Sequence, residues 1–269
     1  MERSFSNKYG PWALVTGSTS GIGEAFAHRL ASLGLNLVLV ARREEVLAAQ
    51  AEQLRLEHDV DVRTVRADLS DPAAAAQIDA RTRDIEVGLL IPNAGVEHHG
   101  FFTDNALERE TRLLQLNALA PMQLAHRYGA RMSERGRGGI LFVSSTGAFG
   151  IGPYMAGYVA SKSYILKLGE TLHYELGDKG VDVTVVCPGA TQTPMLDGVG
   201  VDVTEVGMKV MSPESVVDCA IEALGTRPLV IPGKMNRFAI WLTTRVLSRR
   251  RANDMNYKTV KKLFGLEGS

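Results

Sequence analysis

Short, mostly apolar runs alternate along this chain with longer helix-forming stretches, and that alternation leaves few folds open. Residues 12–16, 36–41, 60–67, 87–93, 140–144 and 181–187 read as strands, with 229–231 as a short last one. Runs that are apolar at nearly every position bury both faces, as the strands of a parallel sheet do. Between them, residues 21–33, the Ala/Leu/Glu-rich stretch to about 57, and residues 106–133 and 154–177 are long enough for helices. Repeated β-α-β units of this kind build a doubly wound α/β sheet. The 269 residues suffice for one such domain, and no linker, repeat or low-complexity segment divides it.

The first strand turns into its helix through Thr16-Gly17-Ser18-Thr19-Ser20-Gly21-Ile22-Gly23. Glycines at such a junction let the backbone turn tightly and approach a pyrophosphate, which the helix N-terminus stabilises. The expected architecture is therefore a Rossmann-type parallel sheet, residues 1–232, with a C-terminal extension over 233–269. The second strand ends Val40-Ala41-Arg42-Arg43. A site built for NAD places a carboxylate there for the ribose 2′-hydroxyl, whereas a guanidinium suits the 2′-phosphate of NADP. Arg42 leads the NADP(H) reading. Asp68 in Ala67-Asp68-Leu69-Ser70 suits either an adenine amino group or a helix cap. Asn93-Ala94-Gly95 closes the fourth strand, where open sheets bind ligands and small residues admit a close cofactor.

Tyr158 and Lys162 stand four apart, on one face of a helix, and Ser145 lies thirteen positions before the Tyr. Carbonyl reduction needs a hydride donor and a proton donor at the carbonyl oxygen. A phenol titrates near 10, and bringing it to about 7 needs about 4 kcal/mol of differential stabilisation. A close ammonium together with a positive nicotinamide ring is of the size to supply this in a partly dry site. Tyr257 and Lys261 repeat the spacing within the tail, with Thr244 thirteen positions upstream. Context selects Tyr158, which opens a helix after the fifth strand, and Tyr257 is read as structural.

With these residues in place, the chain resembles the short-chain dehydrogenase/reductase family, of its NADP-preferring kind, over residues 11 to 232. The resemblance rests on Thr16-Gly17-x3-Gly21-Ile22-Gly23, Asp68, Asn93-Ala94-Gly95, Asn117, Ser145, Tyr158-x3-Lys162 and Pro188-Gly189-x3-Thr193. It implies Tyr158 as general acid/base, Ser145 orienting the substrate oxygen, and Lys162 holding the ribose and depressing the Tyr158 pKa. It also implies that Asn117 keeps a helix open for a proton-relay water. Cofactor contacts follow at Gly17, Ser18, Thr19, Ser20, Gly21, Ile22, Gly23, Arg42, Asp68, Leu69, Asn93, Ala94, Gly95, Tyr158, Lys162, Pro188, Gly189, Thr191 and Thr193. Assembly as a homo-dimer or tetramer through the two long helices is implied by the same likeness. One departure is Pro92, where the family often has Asn; proline cannot donate a backbone hydrogen bond, so strand pairing is expected to differ there.

Apolar residues crowd the segment that covers the substrate in this family: Met195, Leu196, Val199, Val201, Val203, Val206 and Met208, with Phe149 and Ile151 before the active helix. They point to a hydrophobic ketone, aldehyde or secondary alcohol. His98 and His99 have no Cys or acid at ligand spacing, so they are read as solvent-facing or substrate-bordering, and no metal is expected. The rival to the enzyme is a nonenzymatic NADPH sensor or scaffold on the same fold, which would need none of Asn117, Ser145, Tyr158 and Lys162.

The net charge of zero conceals an asymmetry. Residues 234–262 carry nine Lys/Arg against Asp254 alone, leaving an acidic body of 21 Lys/Arg and 29 Asp/Glu that makes nucleic acid a poor partner. Phe238, Trp241, Leu242 and Val246 can share a helical stripe, with basic residues beyond it. That pattern suits interfacial membrane attachment, docking of an acidic carrier or a subunit, or a helix packed over the substrate cleft with a solvated basic end. No apolar run is long enough to cross a membrane, residues 1–8 lack the apolar core of a signal peptide, and Cys187 and Cys219 make no disulfide framework. A cytoplasmic protein, in places peripheral to a membrane, is the expectation.

Overall fold

A computed structural model describes residues 2–198 and 200–265, with the side chains of residues 2–4 excepted. Seven parallel strands form one sheet: β1 (Trp12–Thr16), β2 (Asn36–Ala41), β3 (Val62–Arg66), β4 (Val87–Ile91), β5 (Gly138–Val143), β6 (Val181–Val186) and β7 (Leu229–Val230). Their order, β3-β2-β1-β4-β5-β6-β7, reverses direction between β1 and β4. That reversal opens a crevice at the carboxyl ends of the strands, where ligands of open sheets bind.

Successive side chains leave a strand on opposite faces, so each strand feeds two cores. Leu37 and Leu39 join Phe26, Leu30, Leu47, Leu54 and Val216 on one side. Val38 and Val40 join Leu124, Tyr128, Phe142 and Ile165 on the other. The covering helices are α1 (Glu2–Tyr9), α2 (Gly21–Ser32), α3 (Glu44–His58), α4 (Ala74–Ala80), α5 (Leu107–Leu114), α6 (Ala120–Arg135), α7 (Ala156–Gly177), α8 (Pro194–Asp197) and α9 (Pro213–Ala223). The tail adds α10 (Lys234–Trp241) and α11 (Arg249–Leu263).

Three features depart from the sequence reading. Helix α1 was not anticipated; the Tyr9 hydroxyl anchors it by donating to Asp182 at 2.6 Å. The single helix expected over 106–133 is two helices joined by a π-helical turn, Gln115–Leu119. Several strands are a residue or two shorter than their apolar runs, because the carboxyl ends turn into site loops. The β4–β5 ladder comprises Leu89↔Gly139 and Leu90↔Ile140 and ends before Pro92, whereas β5–β6 pairs six positions.

Candidate active site

One cavity of about 880 Å3 runs along the carboxyl ends of the strands. At one end lies the glycine turn. Gly17 and Gly21 sit at φ 65° and 56°, left-handed conformations that favour glycine. Gly23 has a different reason: a Cβ there would collide with the Gly17 carbonyl oxygen and the Asn93 amide. Asn93 donates from Nδ2 to the Thr16 carbonyl at 3.0 Å, and the Ala94 N–H donates to the Thr16 hydroxyl at 3.0 Å. These bonds fasten the ends of β1 and β4 together beneath the crevice.

The two arginines after β2 divide their work. Arg43 donates to the Thr19 carbonyl at 3.1 Å and to its hydroxyl at 3.2 Å, bracing the turn. Arg42 lines the cavity and forms no hydrogen bond or ion pair with a described residue. Asp68 accepts from the Ser70 N–H at 3.0 Å and from its hydroxyl at 2.7 Å. Burial acts to raise its carboxyl, but the Ser70 bonds and the charges of Arg42 and Arg112 prevail and hold it below the ordinary value.

At the other end, β5 runs into Ser145, which caps a short 3-10 turn by accepting from the Gly147 N–H at 3.1 Å. Tyr158 lies in the first turn of α7, with the Lys162 ammonium 5.8 Å from its ring centre. Lys162 is only 5% exposed and donates to the Val143 carbonyl at 3.0 Å. Asn117 occupies the π-helical turn. Its amide oxygen accepts from the Val96 N–H at 2.9 Å, while its nitrogen donates to the Val96 carbonyl at 2.8 Å and to Ser161 at 3.2 Å. A π turn widens the helix and recurs at functional sites; here it lets one side chain tie the loop after β4 to α7.

The expected depression of Tyr158 draws on the nicotinamide charge as well as on Lys162, and the polypeptide alone sets a different balance. Burial, followed by the charge of Glu97, pushes the phenol above its ordinary value, and a hydrogen bond with Ser145 only partly opposes this. Burial likewise pushes Lys162 down to about 8, against the attraction of Cys187 and Glu97. Desolvation penalises the charged form of each partner, so both move toward neutrality.

Of the expected cofactor and catalytic residues, all but Ser18, Gly23, Asp68 and Asn117 line the cavity. Ser18 is buried, with its carbonyl accepting from Gln50 at 2.8 Å. The remaining three shape or brace the wall. Among the apolar cover residues Met195, Leu196, Val203, Val206 and Met208 line it and Val201 does not, while Val199 falls outside the described residues. His98 is neither solvent-facing nor substrate-bordering. It is buried and pairs with Glu110 at 2.9 Å, and Asn105 donates to the same carboxylate oxygen. His99 is exposed and stacks on Phe264 with ring centres 4.8 Å apart.

Sequence reasoning passed over Glu97, which lines the cavity; of its readings of the tail, a helix packed over the cleft is the one that the lining matches. Asn236, Ala239 and Ile240 of α10, Asn256 and Val260 of α11, and Phe264 all face the cleft. The anticipated stripe points the other way: Phe238 is 61% and Trp241 53% exposed. Outside the cavity lining, His28, Glu57 and His58 bring ligand-type atoms within 4.8 Å of one another, although nothing in their spacing announced it. The Glu57 oxygen stands 3.7 and 3.8 Å from the two imidazoles, wider than the roughly 3.3 Å between ligands of one tetrahedral zinc.

Comparison with known proteins accords with this geometry. A family model for short chain dehydrogenase matches residues 11–203. The chain is 35% identical over 236 residues to a 7beta-hydroxysteroid dehydrogenase of Collinsella aerofaciens, covering 87% of this chain and 90% of the relative. A solved structure from work on 7beta-hydroxysteroid dehydrogenase stereoselectivity superposes with a TM-score of 0.87 at 32% identity, covering 94% and 99% of the two chains. A short-chain dehydrogenase from Sphingobium yanoikuyae in complex with NADPH gives 0.76 at 36% identity, covering 83% and 87%.

Proposed function

The chain belongs to the short chain dehydrogenase family, and on that premise we propose that it passes a hydride between NADP(H) and a hydrophobic ketone, aldehyde or secondary alcohol, with Tyr158 handling the proton. It is an oxidoreductase acting on CH–OH and C=O groups, and its cofactor is NADP(H). The observation that carries the finer reading is one continuous cavity, with the glycine turn and Arg42 at one end and Ser145, Tyr158 and Lys162 at the other.

When bound, NADPH supplies the hydride and, once oxidised, a positively charged ring. Each remaining role falls to the protein. Tyr158 is held protonated, which suits a proton donor to the carbonyl oxygen as it gains charge. The Ser145 hydroxyl, fixed at its turn by Gly147, is placed to hydrogen-bond the same oxygen. Lys162, anchored to Val143 and 5.8 Å from the Tyr158 ring centre, would hold the ribose. Asn117 keeps the loop after β4 in register with α7. Arg42, which lines the cavity and makes no hydrogen bond or ion pair with a described residue, would take the 2′-phosphate. The mostly aliphatic cover and the name of the Collinsella relative both favour a bulky hydrophobic substrate. Purified protein should oxidise NADPH faster than NADH with ketones of increasing apolar size, and Tyr158→Phe should bind NADPH but lose turnover. Cofactor binding with no turnover of any carbonyl would favour the sensor.

A second reading concerns the tail. Phe238 and Trp241 form an exposed ring pair with centres 5.9 Å apart, near exposed Arg245 and Arg249–Arg251. That combination supports contact with an anionic lipid surface, each basic residue contributing about 1 kcal/mol. No helix among the described residues is long and apolar enough to cross a membrane. The protein should sediment with phosphatidylserine vesicles at low salt and Trp241→Ala should not; equal sedimentation of both removes this reading. Assembly through α6 and α7, and residence in a reducing cytoplasm where Cys187 and Cys219 stay free, complete the proposal.

A further inference from the structure

We infer that Glu97 forms a polar subsite in the substrate cleft, reading a hydrogen-bond-donating group, a hydroxyl above all, on an otherwise hydrophobic ketone or alcohol. The inference rests on the oxidoreductase reading and deepens it by naming a second recognition point. Four observations carry it.

Glu97 lines the cavity together with Tyr158 and Lys162. Its neighbours in sequence are both immobilised. Val96 is held at its N–H and its carbonyl by Asn117, and the His98 side chain is locked onto Glu110. The carboxyl is therefore presented from a fixed backbone. It accepts no hydrogen bond and forms no ion pair with any described residue, although it lies within electrostatic reach of Lys162 and Tyr158. Finally, the cleft that it lines also carries apolar side chains, Phe149, Ile151, Met155, Leu196 and Ile240 among them, as a hydrophobic substrate requires.

A half-buried carboxyl without a hydrogen-bond partner is partly desolvated, and burial pushes Glu97 above the ordinary carboxylate range against the pull of Lys162. An aliphatic side chain would fill the same space at no such cost. A ligand hydroxyl offsets that cost by donating to Glu97, and a hydrogen bond to a charged acceptor is stronger than one between neutral groups. The same contact occupies the charge that otherwise opposes ionisation of Tyr158, so substrates bearing the donor suit the proton-transfer site better than bare ones.

Matched ligands test this: a steroid monoketone and a set of the same ketone carrying one hydroxyl at different ring positions. Binding to the NADP+-loaded protein is measured by calorimetry, and turnover separately with NADPH, for wild type, Glu97→Gln and Glu97→Leu. At least one hydroxylated ketone should bind wild type about tenfold to a hundredfold more tightly than the bare one. Glu97→Leu should abolish or invert that ratio and Glu97→Gln retain part of it, with NADPH affinity unchanged in both. In turnover the change should fall mainly on KM. A preference for the same hydroxylated ketone that persists undiminished in Glu97→Leu, or no preference in wild type for any member of the set, overturns the subsite. Turnover that survives in Tyr158→Phe would instead overturn the oxidoreductase mechanism, whatever the Glu97 variants do.

Discussion

Two Tyr-x-x-x-Lys pairs lie in this molecule, and their internal geometry is nearly the same. The Lys162 ammonium is 5.8 Å from the Tyr158 ring centre, and the Lys261 ammonium is 5.9 Å from that of Tyr257. Helical spacing dictates this, since residues four apart share a face whatever surrounds them. What differs is the setting. Lys162 is buried and fixed to Val143, and Tyr158 shares a cavity wall with Ser145, the glycine turn and Glu97. Tyr257 is 43% exposed and does not line the cavity, although its helix contributes Asn256 and Val260 to the wall. The motif therefore supplies a pair and the fold supplies the chemistry. The setting also exacts something. Burial drives the Tyr158 phenol up and the Lys162 ammonium down, so the polypeptide alone does not prepare a phenolate.

The largest contrast should come from removing each ammonium in turn. Lys162→Met should cut kcat/KM by a hundredfold or more, on the order of what positioned acid–base groups contribute, and weaken NADPH binding. Lys261→Met should leave both within about twofold. Equal losses would mean that the tail pair takes part in the reaction.

A smaller effect concerns stability. Because the folded-state pKa of Lys162, about 8, lies below the ordinary 10.5, burial penalises its cation. The unfolded chain then binds more protons than the folded one between these values, so stability rises with pH across the window. Denaturant unfolding of cofactor-free protein should show a gain approaching about 3 kcal/mol between pH 8 and 10.5. Lys162→Met should lack that gain and be the more stable protein at pH 7, and Lys261→Met should retain it. A flat wild-type profile would show that Lys162 is not desolvated as described.

Which parts of this were legible in the sequence follows from how local their causes are. The sheet announced itself because most strands are apolar on both faces, and the glycine turn because Gly17 and Gly21 need a left-handed backbone next to a strand end. The Tyr158 helix likewise follows from short-range pattern, whereas the bracing of the turn by Arg43 depends on its contact with Thr19. The opening of the helix at Asn117 was legible only through the family resemblance, since one extra residue in a helix barely disturbs apolar periodicity. His98 read as a loop residue because its partner, Glu110, sits on another element and only tertiary folding joins them. The tail's stripe was recognised but its direction was not. Helical periodicity shows that α10 has two faces; only the cleft decides that Asn236, Ala239 and Ile240 turn inward while Phe238 and Trp241 stay in solvent. Glu97 was passed over for a related reason, since nothing in a loop sequence distinguishes a solvated acid from one held in a cavity.

The account turns on where the Tyr158 phenol titrates, and an ultraviolet tyrosinate titration of wild type minus Tyr158→Phe reads it directly, with and without NADP+. In cofactor-free protein the Tyr158 band should be absent up to about pH 10, the ordinary phenol value, and it should move to lower pH when NADP+ is added. Ionisation of Tyr158 near neutral pH without cofactor would contradict the account, because it would show that Lys162 alone outweighs burial.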